Sequence, residues 1–231
     1  MTNPIYCAVD RPDLEGTLAL ARTLAPHVGG IKLGLEFFTA QGPKGVEAVV
    51  ALGLPVFLDL KLHDIPNTVA GAVRQVAKLG VAMLTLHASG GRAMLEAAAE
   101  AAAGAATPPW LLGVTVLTSL DAADLAAIGM AADPAGQALR LARLAVAAGL
   151  DGLVCSPHEI AELRRALGAG PKIVVPGIRA EAGGDDQKRT MAPADALAAG
   201  ADILVIGRPI TRATAPADAA AALARQLRPA A

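Results

Sequence analysis

Short apolar runs rich in valine, isoleucine and leucine alternate along this chain with alanine-rich stretches of helical period. That is the pattern of repeated βα units. It predicts strands over Ile5–Asp10, Gly30–Leu35, Pro55–Leu62, Met83–Ala88, Leu111–Thr118, Gly152–Ser156, Lys172–Gly177 and Asp202–Gly207. Helices are predicted between them, among them Asn67–Leu79, Arg92–Ala103, Ala135–Ala147 and Pro157–Leu167, with a last one over Pro216–Leu227. Several strands follow a glycine-bearing stop such as Ala-Lys-Leu-Gly (77–80) or Ala-Ala-Gly (147–149 and 198–200), which is helix C-capping chemistry. Eight units in 231 residues favour a single-domain α/β protein, a closed (β/α)₈ TIM barrel over residues 1–231, with an open doubly wound sheet as the alternative. No linker, low-complexity tail or charge block divides the chain.

Composition narrows the class. The chain is 54% hydrophobic and 18% charged, enough for a large core. Its apolar runs stop well short of the roughly 18 residues that a membrane span needs. MTNPIYCAVD has no basic region leading into an apolar one, so no signal peptide is expected. A net charge of −1 offers no field for nucleic acid or an anionic membrane. Cys7 and Cys155 sit far apart in apolar runs, as buried free thiols do, and suit a reducing cytoplasm.

The chemistry shows where the pattern breaks. Barrel strands alternate between a face toward the helices and a face toward the barrel interior. In Pro55–Leu62 one face reads Val56, Leu58, Leu60, Leu62, and the other reads Phe57, Asp59, Lys61. Two charges thus share a strand face at its C-terminal end, where barrel enzymes gather their function. Buried charges must neutralise one another or serve a site. Asp10 closes the first predicted strand, Lys32 lies inside the second, and Asp64 follows the third two residues before Pro66. Of only six lysines, two are embedded in predicted strands. Either an active site or a structural ion-pair plug accounts for them.

A second feature lies near the C-terminus. Val-Pro-Gly-Ile-Arg (175–179) and the run from Ile203 through Gly207 into Arg208-Pro209 follow the last two predicted strands, the usual phosphate site of this fold. Gly207 permits close approach of the backbone to an anion, and Arg208 offers a two-pronged donor. Arg179–Thr190 has no apolar period and reads as a mobile lid, or else a solvated loop. His-Ala-Ser-Gly-Gly (87–91) could hold an anion but more simply forms a strand-to-helix turn. His27, His63 and His158 have no metal or nucleophile spacing. Asp10, Asp59 and Asp64 could hold Mg²⁺, but Lys32 and Lys61 already supply the counter-cations.

Asp59-Leu60-Lys61-Leu62-His63-Asp64-Ile65-Pro66-Asn67-Thr68 resembles the Asp-x-Lys-x-x-Asp-Ile-x-Asn-Thr signature of the orotidine 5′-phosphate decarboxylase family. Ala8-Val9-Asp10, Lys32-Leu33-Gly34, Thr115–Thr118, Val175–Arg179, Asp186–Arg189 and Val205–Ile210 agree with that family in order and spacing. Asp-x-Lys-x-x-Asp alone also occurs in related sugar-phosphate enzymes; the whole set is far more specific. The resemblance implies decarboxylation of orotidine 5′-monophosphate to UMP without metal or other cofactor. It assigns Lys61 as proton donor to C6 of the pyrimidine and puts Asp59 against the leaving carboxylate. Lys32 and Asp64 complete a charge network, and Asp10 and Thr118 hold ribose and base. Pro176 lines the substrate site, and Arg179, Gln187, Gly207 and Arg208 bind the 5′-phosphate. Asp64, Ile65 and Thr68 reach into a neighbouring subunit's site, which implies a homodimer.

Two rival readings remain at this stage. A Mg²⁺-dependent sugar-phosphate lyase of the same broad group resembles the chain at Asp59–Asp64 but carries a metal-binding glutamate where this sequence has Lys32. A non-catalytic nucleotide-phosphate binding protein would keep Gly207 and Arg208 without needing Asp59, Lys61 and Asp64 together.

Overall fold

The structure, a computed structural model, describes residues 3–179 and 190–227. Eight parallel strands close into a barrel in sequence order: β1 Ile5–Ala8, β2 Gly30–Leu33, β3 Val56–Leu62, β4 Met83–His87, β5 Trp110–Val114, β6 Gly152–Val154, β7 Lys172–Val175 and β8 Ile203–Ile206. Closure is made by β1 against β8, with Tyr6 opposite Val205. Helices follow the strands around the outside, so the closed barrel, not the open sheet, is the architecture.

Strand parity sorts the apolar residues into two cores. Tyr6, Ala8, Phe57, Met83, Leu112, Val174, Ile203 and Val205 fill the barrel interior. Their neighbours Ile5, Cys7, Val56, Leu58, Leu84, Leu111, Ile173, Leu204 and Ile206 pack outward in the larger core shared with the helices. Both cysteines are buried thiols outside any disulfide, and burial, with Asp10 beside it, pushes the Cys7 thiol up to about 12 against the pull of Lys32. No helix among the described residues is long and apolar enough to cross a membrane.

Two of the longer helix starts carry aspartate caps. Asp13 caps Leu14–Leu24 by accepting from the Gly16 N–H at 2.6 Å, and Asp133 caps Pro134–Ala147 through the Gly136 N–H at 3.0 Å. At the N-terminal end of the barrel, Asp202 accepts from the Ile173 N–H at 2.8 Å and pairs with the Arg164 guanidinium. Arg164 also donates to the carbonyls of Gly168, Pro171 and Gly200, tying loops to the barrel floor.

The predicted elements need correction mainly at their ends. Most strands stop earlier than predicted: Asp10, Thr118, Gly177 and Gly207 all lie beyond the last strand residue, and Leu35 opens the helix Leu35–Val50. Val116 and Ile178 remain almost fully buried outside any strand. Apolar character reports burial, whereas strand length is set by how far the neighbouring strand continues to supply hydrogen-bond partners. The predicted helix Asn67–Leu79 is an α-helix over Pro66–Val76 followed by a 3₁₀ turn, Ala77–Leu79; Pro157–Leu167 divides into the 3₁₀ turn Pro157–Glu159 and an α-helix from Ile160.

Candidate active site

The third strand departs from regular alternation where the charges lie. Leu58 of β3 is opposite Leu84 of β4, but the next pairing is Leu62 with Leu86, so β3 uses four residues where β4 uses two. Lys61, inside this irregularity, has φ 51°, the one non-glycine residue with positive φ among those described. A left-handed lysine costs about 1–2 kcal/mol and must be held by its surroundings. The two-face reading of Pro55–Leu62 still holds for the side chains: Phe57, Asp59 and Lys61 line one cavity, while Leu60 and Leu62 pack with Val56 and Leu58 in the outer core. Thr85, fully buried on β4, accepts a hydrogen bond from the Lys61 N–H at 2.9 Å and donates its hydroxyl to Asp59 Oδ1 at 2.9 Å.

Four of the five predicted charges meet at the C-terminal mouth. Lys61 Nζ stands 2.8 Å from Asp59 Oδ2, Lys32 Nζ is 3.5 Å from the same oxygen, and Lys32 Nζ is 3.2 Å from Asp10 Oδ1. The signs alternate along the line Asp10, Lys32, Asp59, Lys61. Asp59 is partly buried, which by itself raises its pKa, yet Lys32 and Lys61 outweigh this and hold the carboxyl below its ordinary range, helped by hydrogen bonds from Lys61 and Thr85. Burial likewise works against the charge on Lys32, and Asp59 and Asp10 overcome it, raising the ammonium above its usual value.

Asp64 does not join this line within its own chain. It is exposed, and its Oδ1 accepts from the N–H of Ile65 at 2.6 Å. Ile65 is 67% exposed and Thr68 is exposed beside it. These three residues face outward from the rim, because the chain turns away from the mouth before Pro66 starts a helix. Asp10, Asp59 and Asp64 consequently form no common ligand set, and the described residues hold no group of three or more His, Cys, Asp or Glu suited to a metal.

Two adjoining cavities open at the mouth, of about 540 and 340 Å³, and share Lys32, Pro176 and Val205. The larger is lined by Asp10, Arg179, Gly207 and Arg208, together with Arg11 and Arg212, which the sequence reading did not single out. The smaller holds Asp59, Lys61 and Thr118 against Phe57 and Cys155. A Cβ on Gly207 would meet Ala8 only at ordinary van der Waals distance, 3.4 Å, so glycine there leaves the backbone edge bare toward the cavity. Residues 178 and 191 form an isolated bridge, and the Arg179 N–H donates to the Met191 carbonyl at 3.0 Å. Gln187 and residues 180–189 of the expected lid lie outside the described residues. A groove of about 800 Å³ runs between the helices Pro66–Val76 and Arg92–Ala103, but it gathers no buried ion pairs and lies away from the strand ends.

Thr85 escaped notice in the sequence because a threonine between leucines is ordinary strand composition. Its parity, shared with the inward-facing Met83, was the available signal. His87, at the end of β4, lies with its ring centroid 5.5 Å from that of His63. Burial, then His63 and Lys61, depress its pKa against the pull of Asp59.

This architecture defines a (β/α)₈-barrel protein with a lysine–carboxylate line set into the mouth and arginine-bearing loops after the last two strands. The chain belongs to the orotidine 5′-phosphate decarboxylase / HUMPS family, which it matches over residues 3–223. It is 54% identical over 224 residues to the orotidine 5′-phosphate decarboxylase of Anaeromyxobacter sp. (strain K), covering 96% of this chain and 97% of that protein. It is 52% identical to the enzyme of the same name from Paramagnetospirillum magneticum, over 98% of this chain and 99% of the other. The crystal structure of orotidine 5′-phosphate decarboxylase from Lactobacillus acidophilus superposes with a TM-score of 0.87 at 35% identity, covering 98% of this chain and all of that one.

Proposed function

We propose that this protein is a carboxy-lyase that converts orotidine 5′-monophosphate to UMP and CO₂ in pyrimidine biosynthesis, using its own side chains and no cofactor. The observation that carries this reading is the Lys61–Asp59 pair, 2.8 Å apart, facing a cavity that joins the arginine-bearing loops through Lys32 and Pro176.

The chemistry asks for such a pair. When the C6–carboxylate bond breaks, its electrons remain on C6 as an sp² carbanion that the ring cannot delocalise as an enolate would. Preorganised positive charge must stabilise it, and a proton must reach it at once. The Lys61 ammonium supplies both: it gives its proton to C6 and recovers one from solvent after product leaves. Asp59, held ionised by two lysines, is repelled by the substrate carboxylate and not by departing CO₂, which disfavours the ground state more than the transition state. Arg179, Gly207 and Arg208, with Gln187, grip the 5′-phosphate far from the reacting carbon, so that remote binding energy holds the pyrimidine against Lys61. Asp10 and Thr118 hold ribose and base, and Pro176 packs between the two cavities.

The exposed Asp64, Ile65 and Thr68 support a homodimer in which each chain completes its partner's site. With a net charge of −1 the protein has no field for nucleic acid, and we place it in the cytoplasm as a single-domain enzyme acting on a small nucleotide. Lys32 argues against the metal-dependent alternative, since its ammonium lies between Asp10 and Asp59, where a cation would have to bind.

The test is direct. Purified protein incubated with orotidine 5′-monophosphate should release UMP and CO₂ in equal amounts, seen as loss of the orotate chromophore, with unchanged rate in excess EDTA. No turnover, or turnover abolished by EDTA and restored by Mg²⁺, would refute the reading.

A further inference from the structure

We propose that Thr85 is a positioning residue of this site: its one hydroxyl fixes the Asp59 carboxylate and the Lys61 backbone together and so sets the spacing of the reacting pair. The inference rests on the reading of Lys61 and Asp59 just given.

A threonine hydroxyl offers one donor and two acceptor lone pairs. Thr85 uses the donor on Asp59 Oδ1 and a lone pair on the Lys61 N–H, both at 2.9 Å. Neither partner has an evident substitute. Asp59 Oδ2 is already engaged by Lys32 and Lys61, so Thr85 determines how the carboxylate is turned about its last bond. The Lys61 N–H falls where β3 runs two residues longer than β4 between successive pairings, so the regular ladder has no carbonyl for it there. The hydroxyl stands in for that carbonyl and holds the left-handed backbone that aims Lys61 into the cavity.

Thr85 is well placed to be rigid. It is β-branched, which restricts its side chain to few rotamers. Its strand is paired residue by residue with β5 from Met83 to His87, and it is fully buried at 0% exposure. Thr85 itself lines neither cavity, so it acts on the reaction only through Asp59 and Lys61.

The experiment compares Thr85→Val, which keeps the shape and removes the hydroxyl, with Thr85→Ser, which keeps the hydroxyl. With orotidine 5′-monophosphate, Thr85→Val should lose about 10²-fold in kcat with KM within about threefold of wild type, the signature of misplaced reacting groups. Thr85→Ser should stay within about tenfold of wild type, rescuing most of the loss. A carbon-13 titration of the carboxyls, with Asp59 assigned by its loss in Asp59→Asn, should show Asp59 titrating higher in Thr85→Val, because a donor to its charged form is gone. If Thr85→Val is not recovered folded, Thr85→Ala takes its place in both measurements. Wild-type kcat in the variant lacking the hydroxyl, a serine variant as damaged as the valine one, or an unmoved Asp59 titration would each overturn the proposal. A wild-type protein inert toward orotidine 5′-monophosphate would instead overturn the decarboxylase reading, and the titration would still decide Thr85.

Discussion

Lys61 and Asp59 lie two residues apart on one strand, and their charged atoms meet at 2.8 Å. In a regular strand such side chains leave the backbone about 6.6 Å apart and run parallel. Here the backbone turns left-handed at Lys61, φ 51°, and the long lysine folds back onto the Asp59 carboxylate. The pair is therefore built by local backbone strain held in place by β4, not by strand geometry alone.

That strain separates two roles of Lys61. Both Lys61→Ala and Lys61→Gly should lose decarboxylase activity, by at least about 10²–10⁴-fold, since each removes the proposed proton donor. Lys61→Gly should nonetheless be the more stable of the two by roughly 0.5–1 kcal/mol, because glycine adopts positive φ freely. Urea unfolding of both variants checks the order. Alanine equal to or above glycine would mean that the left-handed backbone carries no strain, and turnover within tenfold of wild type would remove Lys61 as proton donor.

Arg208→Ala should weaken transition-state binding by about 1.5–3 kcal/mol, or about ten- to a hundredfold in kcat/KM, the usual size for a charge-assisted contact. The stricter check uses a truncated nucleoside lacking the phosphate, with free phosphite added. Phosphite should stimulate the wild type strongly and the variant little. Equal stimulation would take Arg208 out of the phosphate site.

Asp64 faces outward in its own chain, so a site that needs it must receive it from a second copy. If the proposed homodimer forms, Lys61→Ala and Asp64→Asn proteins should each be nearly inactive alone. After dissociation and mixing, about half the dimers pair one variant with the other, and one site in each such dimer carries neither defect. Roughly a quarter of all sites should then regain full activity, by the arithmetic of an isologous interface. No recovery after verified subunit exchange would show that Asp64 acts within its own chain.

The charge line should also set the pH range of stability. Asp59 titrates below its unfolded value of about 3.9, so its contribution is complete above that value and is lost as pH falls through the folded pKa. Lys32 titrates above its unfolded value of about 10.4, so its contribution is complete below that and is lost as pH rises through the folded pKa. The stability gap between wild type and Asp59→Asn should thus be steady across neutral pH and narrow in acid below about pH 4. Denaturant melts at several pH values would show it; a gap that widened in acid would reverse the sign assigned to Asp59.

Much of this site was legible from the chain alone. Periodicity and glycine stops implied eight βα units because strand and helix impose different repeats on apolar residues, whatever their neighbours. Lysines and aspartates inside otherwise apolar strands marked the mouth because an unpaired buried charge is too costly to be incidental. Lys32, Asp59, Lys61 and Asp10 duly meet there. Tertiary structure decided the rest. Whether Asp64 belongs with those charges depends on the direction of the chain after Leu62, which no residue spacing records. The bulge that turns Lys61 left-handed arises from the mismatch in length between β3 and β4, a property of the pair and of neither strand by itself. Thr85 meets Asp59 and Lys61 across 26 and 24 residues of sequence only once the barrel brings β4 beside β3. A hydroxyl has no charge to announce it in an apolar strand, and its role exists only where its two partners are brought to it.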